Sequence, residues 1–364
     1  MLLLWVFIAV VLINAAYFLL FSKFTFAQPE TLEKKGSFPV SIIVCAKNEA
    51  ENLRKNVPHW LAQDYPNFEL ILINDASTDD TLEIIESFAQ NDARVHTVNI
   101  ENNEAFWSNK KYSLTLGIKR AVNKRMLFTD ADCRPASNDW LSLMTSELSN
   151  ETELILGYGA HEKKKGILNR LIRFETLMTA IQYFSYAKAG MPYMGVGRNM
   201  AYTSKLFYDN RGFMSHMDIP SGDDDLFVNE SAYKDNTSIS FHPNAFTYSV
   251  PKSSFGKWFT QKRRHVSTAK HYKPKHRFLL ASYYITNLLF WVLAGLCFAF
   301  ADWKMTLGIF IFRIALQYIF IGNGAKNLKE KDLTPFIPLL ELFLVLFQLT
   351  IFITNSISKP KRWK

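Results

Sequence analysis

The sequence predicts an α/β chain in which a wound, mostly parallel sheet is preceded by one transmembrane helix and followed by two to three more. Three observations predict it. Between residues 38 and 132, apolar runs of strand length alternate with stretches of helical spacing, the pattern of a parallel sheet wound with helices. Elsewhere the apolar residues bunch at the two ends, so the hydrophobic fraction of 48% conceals membrane segments. One strand-like run, 126–128, leads abruptly into two carboxylates, Asp130 and Asp132.

Residues 1–21 are apolar except for Asn14, enough to cross a hydrocarbon core of about 30 Å. A cleaved signal peptide would want a basic start and a small-residue cleavage site; neither is clear, and the segment reads as an uncleaved anchor. Lys23, Lys34 and Lys35 follow the span and nothing basic precedes it. The positive-inside rule then puts the body of the protein in the cytoplasm, with a bacterial inner membrane as the expected location.

Val40-Ser-Ile-Ile-Val-Cys45 is a near-continuous apolar strand, and Asn48-Glu49-Ala50-Glu51-Asn52-Leu53 is a helix start with acids in its first turn, where they complement the dipole. A second strand, Phe68-Glu-Leu-Ile-Leu-Ile73, ends in Asn74-Asp75-Ala76-Ser77-Thr78-Asp79-Asp80-Thr81, after which Leu82, Ile85 and Phe88 take helical spacing. Val95-His-Thr-Val-Asn-Ile100 is a third strand, residues 110–122 read as a helix, and residues 125–128 lead into the Asp pair. In this architecture ligands bind beyond the carboxyl ends of the strands. The polar clusters at Asn48, Asp75 and Asp130 would meet there in one crevice.

In an extended chain residues i and i+2 face one side, so Asp130 and Asp132 can reach a single hard divalent cation that keeps positions free for phosphate. The bland alternative is a solvated Asp-x-Asp turn before Pro135. A net charge of +9 suggests an anionic partner, either a phosphorylated substrate or a lipid surface. No nucleic-acid motif accompanies it, so no nucleic-acid partner is expected. Cys45, Cys133 and Cys297 show neither a disulfide framework nor zinc-ligand spacing, which fits a reducing compartment.

Four motifs in order, Val40-Ser-Ile-Ile-Val-Cys-Ala-Lys-Asn-Glu-Ala50, Asn74-Asp-Ala-Ser-Thr-Asp-Asp-Thr81, Asn109-Lys-Lys-Tyr-Ser-Leu114 and Thr129-Asp-Ala-Asp132, resemble those of the inverting family 2 glycosyltransferases. The resemblance covers roughly residues 38–270 and implies a nucleotide-diphospho-sugar-binding fold of the A type. By it, Glu49 and Asp75 would hold the ribose and base of a nucleotide-sugar donor, a UDP-sugar being expected. Lys110 would lie near the sugar diphosphate, and Asp130 with Asp132 would bind that diphosphate through Mn2+ or Mg2+. Read without the resemblance, Glu49 is a helix-start acid and Asp79 a capping residue.

The chemistry asks for the same groups. A sugar diphosphate leaves as an anion, and a metal held by two carboxylates neutralises the growing charge without a proton transfer. The acceptor hydroxyl needs a carboxylate near enough to take its proton. The candidate lies in Ile219-Pro-Ser-Gly-Asp-Asp-Asp-Leu-Phe227, where Pro220 and Gly222 set a turn and the acids fall in the first turn of a helix. Such a run is usually a solvated cap. It resembles the Gly-Asp-Asp or Glu-Asp motif whose second acid is the family's catalytic base, which maps onto Asp224 and leaves Asp223 and Asp225 open as neighbours.

Within residues 166–200, Leu168, Leu171, Ile172, Phe174, Leu177 and Met178, interspersed with Arg170 and Arg173, predict an amphipathic helix that packs on the catalytic domain or lies in the membrane interface. Gly190-Met-Pro-Tyr-Met-Gly-Val-Gly-Arg-Asn199 is glycine-rich without the spacing of a phosphate loop. By the resemblance it would line the acceptor side.

Residues 252–277 hold nine Lys or Arg, three His and no acid, a block that attracts anionic lipid headgroups. Inside it Gln261-Lys-Arg-Arg-His265 resembles the Gln-x-x-Arg-Trp motif of membrane-embedded family members, with Gln261 and Arg264 as donor contacts and Arg264 able to clamp phosphate. His265 stands where tryptophan is expected, and the flat stacking surface on which processive polymer synthesis would rest is absent.

Three apolar runs close the chain, at 278–301, 305–321 and 335–357. The middle one is only about long enough to span and contains Arg313. Arg313 and Glu341 inside these runs are functional candidates in a bilayer, with mutual pairing as the plainer expectation. If all three cross, the basic tail Lys359-Pro-Lys-Arg-Trp-Lys364 ends outside, against the charge rule.

The expected organisation is thus an anchor at 1–22, a catalytic domain at 38–250, a basic interfacial segment at 251–277 and membrane helices at 278–357. The expected activity is metal-assisted, inverting sugar transfer to a membrane-associated lipid or saccharide acceptor, with Asp224 as general base. The alternatives are a processive polysaccharide synthase subunit and, from another class, a sugar nucleotidyltransferase, which would want a glycine-rich basic loop after the first strand. A non-catalytic scaffold would have no reason to place acids after three strands.

Overall fold

The computed structural model describes residues 1–29, 38–101, 110–219 and 221–358. Lys34, Lys35, Asn109, Pro220 and the basic tail of the sequence analysis lie outside them. In chain order the elements are α1 (Leu2–Thr25), β1 (Val40–Ala46), α2 (Ala50–Leu61), β2 (Phe68–Asp75), α3 (Thr81–Asn91), β3 (Val95–Ile100), α4 (Lys110–Arg120), β4 (Arg125–Asp130), β5 (Cys133–Pro135), α5 (Trp140–Thr145), β6 (Leu154–Leu156) and β7 (Gly159–His161). They continue as α6 (Ile167–Lys188), β8 (Met200–Thr203), α7 (Ser204–Asp209), α8 (Asp225–Ser231), β9 (Thr237–Ile239), β10 (Thr247–Ser249), α9 (Phe255–Thr268), α10 (Pro274–Phe300), α11 (Trp303–Asn327) and α12 (Ile337–Ile357). They form two compact units, one drawn from 38–163 and 190–251, the other from 1–28, 164–189 and 252–358.

The first unit is the expected wound sheet. Its order is β3-β2-β1-β4-β8-β6-β9, with β1 parallel to both β2 and β4. β2 is buried along its whole length and β1 at all but one position, which is why their sequences are near-continuous apolar runs rather than alternating ones. The order reverses between β1 and β4, so the crevice beyond their carboxyl ends is the topological switch point. β8 runs antiparallel to β4 and β6. A second, three-stranded sheet has the order β5-β10-β7.

Trp60 on α2 and Trp140 on α5 are fully buried in the core cluster that covers one face of β1. On the other face α4 lies so close that a Cβ at Gly117 would come 2.3 Å from Ile73 Cδ1. Only glycine lets the helix approach to that depth. α4 was expected to reach 122 but stops at Arg120, where the Val122 amide turns aside to donate to Glu69 Oε1 at 2.8 Å.

The second unit is helical. α1, α10, α11 and the segment 331–357 are each long and apolar enough to cross a membrane. The middle C-terminal run, expected to be only about long enough, is the core of the 25-residue α11. Arg313 on it pairs with Glu341 through two 2.8 Å contacts and also donates to Asn287 (2.9 Å) and Asn14 (3.2 Å). Mutual pairing, the plainer of the two expectations, is what the helices show.

α6 departs from expectation. It packs against α1, α11 and α12 and belongs to the helical unit, so the stretch 38–250 taken as one catalytic domain is interrupted at 164–189. The physical reason lies in its charges. Arg173 is buried against Glu330 and bonds Asp332 at 2.6 Å, while Glu175 meets Lys262 of α9 at 2.5 Å. Carboxylates far along the chain complete the face that looked merely amphipathic. On α9, Trp258 stacks on Phe347 of α12 with ring centroids 4.2 Å apart, seating the basic segment on the helices that follow it.

Candidate active site

The site forms where sheet geometry ends strands and begins helices. β1 and β4 are in register with Cys45 opposite Asp130, so the chain after each strand emerges at one edge. Asn48 and Ala76, in the loops after β1 and β2, both adopt positive φ, 56° and 49°, a conformation that a non-glycine residue holds only when its surroundings fix it. Here the two loops fix each other. The Asn48 amide donates to Ser77 Oγ (3.0 Å), and the Thr78 amide donates to Asn48 Oδ1 (2.8 Å).

Asp79 accepts from the Thr81 amide at 3.1 Å and from the Ala50 amide at 3.3 Å. It caps the starts of two helices, the role read for it from the sequence. Burial pushes its carboxyl up, and the Thr81 hydroxyl and amide bonds outweigh that and leave it below the usual range. Glu49 sits at the start of α2, where its carboxylate accepts from Asn52. Asp75, the last residue of β2, is buried and accepts from Ser113 Oγ of α4 at 2.6 Å.

Lys110 opens α4 and holds the centre. Its Nζ lies 2.8 Å from Asp130 Oδ1 and 3.0 Å from Asp223 Oδ2. Burial pulls the Lys110 ammonium down, but the Asp130 and Asp223 charges more than reverse this and hold it well above the ordinary lysine value. The same pair works on Asp223: burial pushes its carboxyl up, and the Lys110 charge and hydrogen bond bring it below the usual range. Lys111 points elsewhere, donating to the carbonyl oxygens of His216 (2.5 Å) and Ile219 (2.9 Å), so it ties the chain before the acidic run to α4.

Asp224 is the N-cap of α8. Its Oδ2 accepts from the Gly197 amide (2.8 Å) and its Oδ1 from the Asp225 amide (2.7 Å). Burial, then the Asp223 and Asp225 charges, push its carboxyl up to about 7 against the pull of those bonds. Adjacent acids are thereby driven apart, Asp223 held as carboxylate by a lysine and Asp224 poised near neutrality. This is the pattern that separates a binding acid from a proton acceptor.

Asp130, Asp132 and Cys133 bring one ligand atom each within 4.8 Å of one another. Two carboxylates suit a hard divalent cation of the Mg2+ or Mn2+ kind. Cys133 does not complete a soft-metal set: burial, then Asp132 and Asp130, push its thiol well above the ordinary value, and it donates to Asp132 Oδ1 at 3.2 Å. The two carboxylates therefore fit the expected cation, which Asp130 and Asp132 would hold.

The structure brings Asp75, Lys110, Asp130 and Asp223 around the carboxyl edge, with the Cys45 thiol beneath them pushed up by burial and by Asp75. Gln261 and Arg264 are on α9 in the helical unit, both half-buried. Sequence reasoning missed Asp223 as the lysine's partner and the segment 195–199 as the support of Asp224. The only signal for the second was the glycine-rich composition of residues 190–199, which does not point to Asp224. That segment is pinned by buried Asn199, whose side chain accepts from Trp140 Nε1 (2.9 Å) and donates to the carbonyls of Tyr158 (2.9 Å) and Ala245 (2.8 Å).

Residues 41–208 match the family model described as Glycosyl transferase family 2. An uncharacterized glycosyltransferase of Haemophilus influenzae is 31% identical over 134 residues, 35% of this chain and 40% of that protein. The match thus spans about two fifths of that relative's length. The dolichyl N-acetyl-alpha-D-glucosaminyl phosphate 3-beta-D-2,3-diacetamido-2,3-dideoxy-beta-D-glucuronosyltransferase of Methanococcus voltae is 25% identical over 240 residues, 61% of this chain and 70% of that protein. Among solved structures, the mannosyltransferase PcManGT from Pyrobaculum calidifontis, in complex with GDP-Man and Mn2+, superposes with a TM-score of 0.57 at 16% identity, covering 94% of this chain and 99% of that one. At that identity the likeness speaks for the fold.

Proposed function

We propose that this chain, whose residues 41–208 match the Glycosyl transferase family 2 model and whose fold is of the A type, transfers a sugar, with inversion, from a nucleotide-diphospho-sugar to a membrane-associated lipid or saccharide acceptor. The observation that carries the reading is the Lys110 ammonium, which touches the metal-side acid Asp130 and the base-side acid Asp223 together. Donor phosphate chemistry and proton abstraction can then share one crevice.

In this reading Asp130 and Asp132 hold Mn2+ or Mg2+, which when bound neutralises charge on the departing diphosphate. Glu49 and Asp75 face the ribose and base. Asp224 takes the acceptor hydroxyl proton as that oxygen attacks the anomeric carbon. The bond from this carbon to the bridging oxygen breaks, and its electron pair leaves with the nucleoside diphosphate. One displacement inverts the centre. The catalytic unit faces the cytoplasm, and the four apolar helices lie in the membrane. The exposed His265, in place of an aromatic stacking surface, favours one or a few additions over polymer synthesis.

Incubating the full chain in liposomes with labelled UDP-, GDP- and dTDP-sugars, then sizing the lipid and water-soluble products, tests the proposal. A short organic-soluble product is expected. A high-molecular-weight ladder made without added acceptor would replace this reading with the synthase, and labelled sugar 1-phosphate turned over with nucleoside triphosphate would replace it with the nucleotidyltransferase.

A further inference from the structure

Arg198 follows the glycine that supports Asp224, and its side chain lies along the second sheet. The register places Cys133, Ser249 and His161 opposite one another across β5, β10 and β7, a row that begins one residue after Asp132. Arg198 Nη1 contacts His161 Nε2 (3.2 Å) and Ser249 Oγ (3.2 Å) at that row. Further back, a Cβ at Gly159 would come 2.4 Å from Arg198 Nε, so a side chain there would displace the guanidinium. The main chain is equally fixed: the Arg198 carbonyl accepts from Thr129 Oγ1 and Thr247 Oγ1, both at 3.0 Å. Thr129 is the residue before Asp130.

Arg198 is half-buried, and the hydrogen-bonding partners of its Nη1 are a histidine ring nitrogen and a serine hydroxyl. Among the described residues no carboxylate pairs with it, whereas Arg134 on the same sheet meets Glu162 at 3.8 Å. A cation held in place without a counter-charge, beside carboxylates that suit a divalent ion, is built to receive an anion from outside the chain. Its planar fork matches the oxygens of phosphate two at a time. Cys133, the neighbour of Asp132, feels its positive charge.

We propose that Arg198, oriented by His161 and Ser249, forms a phosphate-binding subsite next to Asp130 and Asp132. The inference rests on the transferase reading. The phosphate has two sources, the diphosphate of the donor or a phosphate carried by a lipid acceptor.

Titration calorimetry on the full chain in detergent separates them. Inorganic pyrophosphate, UDP and GDP, each with MnCl2, read the donor arm, and dodecyl phosphate in nonionic micelles reads the acceptor arm. Arg198→Gln should weaken one arm about ten-fold or more, as expected for loss of a charge-assisted bond. Arg198→Lys should recover only part of it, and Ser249→Ala should show a smaller loss. A loss confined to pyrophosphate and the nucleotides assigns the donor; a loss confined to dodecyl phosphate assigns the acceptor. If Arg198→Gln binds every probe as the wild type does, the subsite is refuted while the transferase reading stands. If the wild type binds none of them, both fall. Thermal melting checks each variant's fold, and should Arg198→Gln not fold, Arg198→Lys and Ser249→Ala decide by the same criterion.

Discussion

The Gly197 amide donates to Asp224 Oδ2 at 2.8 Å, joining the loop before β8 to the acid that heads α8. The bond aims a carboxyl that burial and two neighbouring acids push up to about 7. A base must be ionised to act, so its titration should appear in the rate. We expect kcat/KM to be low in acid and to rise through about pH 7; a rate flat between pH 5 and 8 would exclude Asp224 as the base.

Replacing the base should separate chemistry from binding. Asp224→Asn is expected to slow the chemical step by about two to four orders of magnitude and to leave donor affinity nearly intact. Single-turnover kinetics and equilibrium donor titration read the two quantities. A comparable collapse in binding would move Asp224 into the donor site.

The cation should depend on both acids. Asp132→Asn should abolish turnover and weaken Mn2+ uptake measured directly by electron paramagnetic resonance, and excess chelator should silence the wild type. Undiminished activity in chelator would remove the metal from the mechanism.

Lys110 separates two carboxylates that would otherwise face each other. Lys110→Met should lower stability by about 1–2 kcal/mol, a range reduced for partial exposure. Because the loss comes from unbalanced charge, Lys110→Met with Asp223→Asn should melt above Lys110→Met alone. Equal melting of the two would show that packing, not charge, is at stake.

In the helical unit, removing one member of the Arg313–Glu341 pair leaves a buried charge alone, at a cost of about 3 kcal/mol or more. The Arg313→Met, Glu341→Leu double replacement should therefore unfold in detergent at a higher temperature than either single one. Additive destabilisation would show that the two side chains act independently.

Much of this was legible in advance because it is written in local periodicity. The wound sheet followed from apolar runs of strand length, since a strand covered on both faces has no polar side to show. The acids at the ends of β2 and β4 were placed by the same logic, because polar residues cannot continue a buried strand. The apolar helices were visible from length alone.

Other features depend on residues far apart in sequence. Lys110 read as a possible donor contact, but its bridge from Asp130 to Asp223 exists only once α4, β4 and the approach to α8 share an edge. The alternation of Leu and Arg in α6 was clear, yet whether it faced sheet, lipid or helix turned on Glu330, Asp332 and Lys262, which lie far along the chain. Arg198 stood in a glycine-rich stretch with no phosphate-loop spacing, and its role arises from a register that lines up three short strands. Periodicity reports which face of an element is buried; it carries no information about which distant charge meets it there, and although Asp223 and Asp225 adjoin Asp224 in sequence, the burial that does most to raise its carboxyl comes only with the fold.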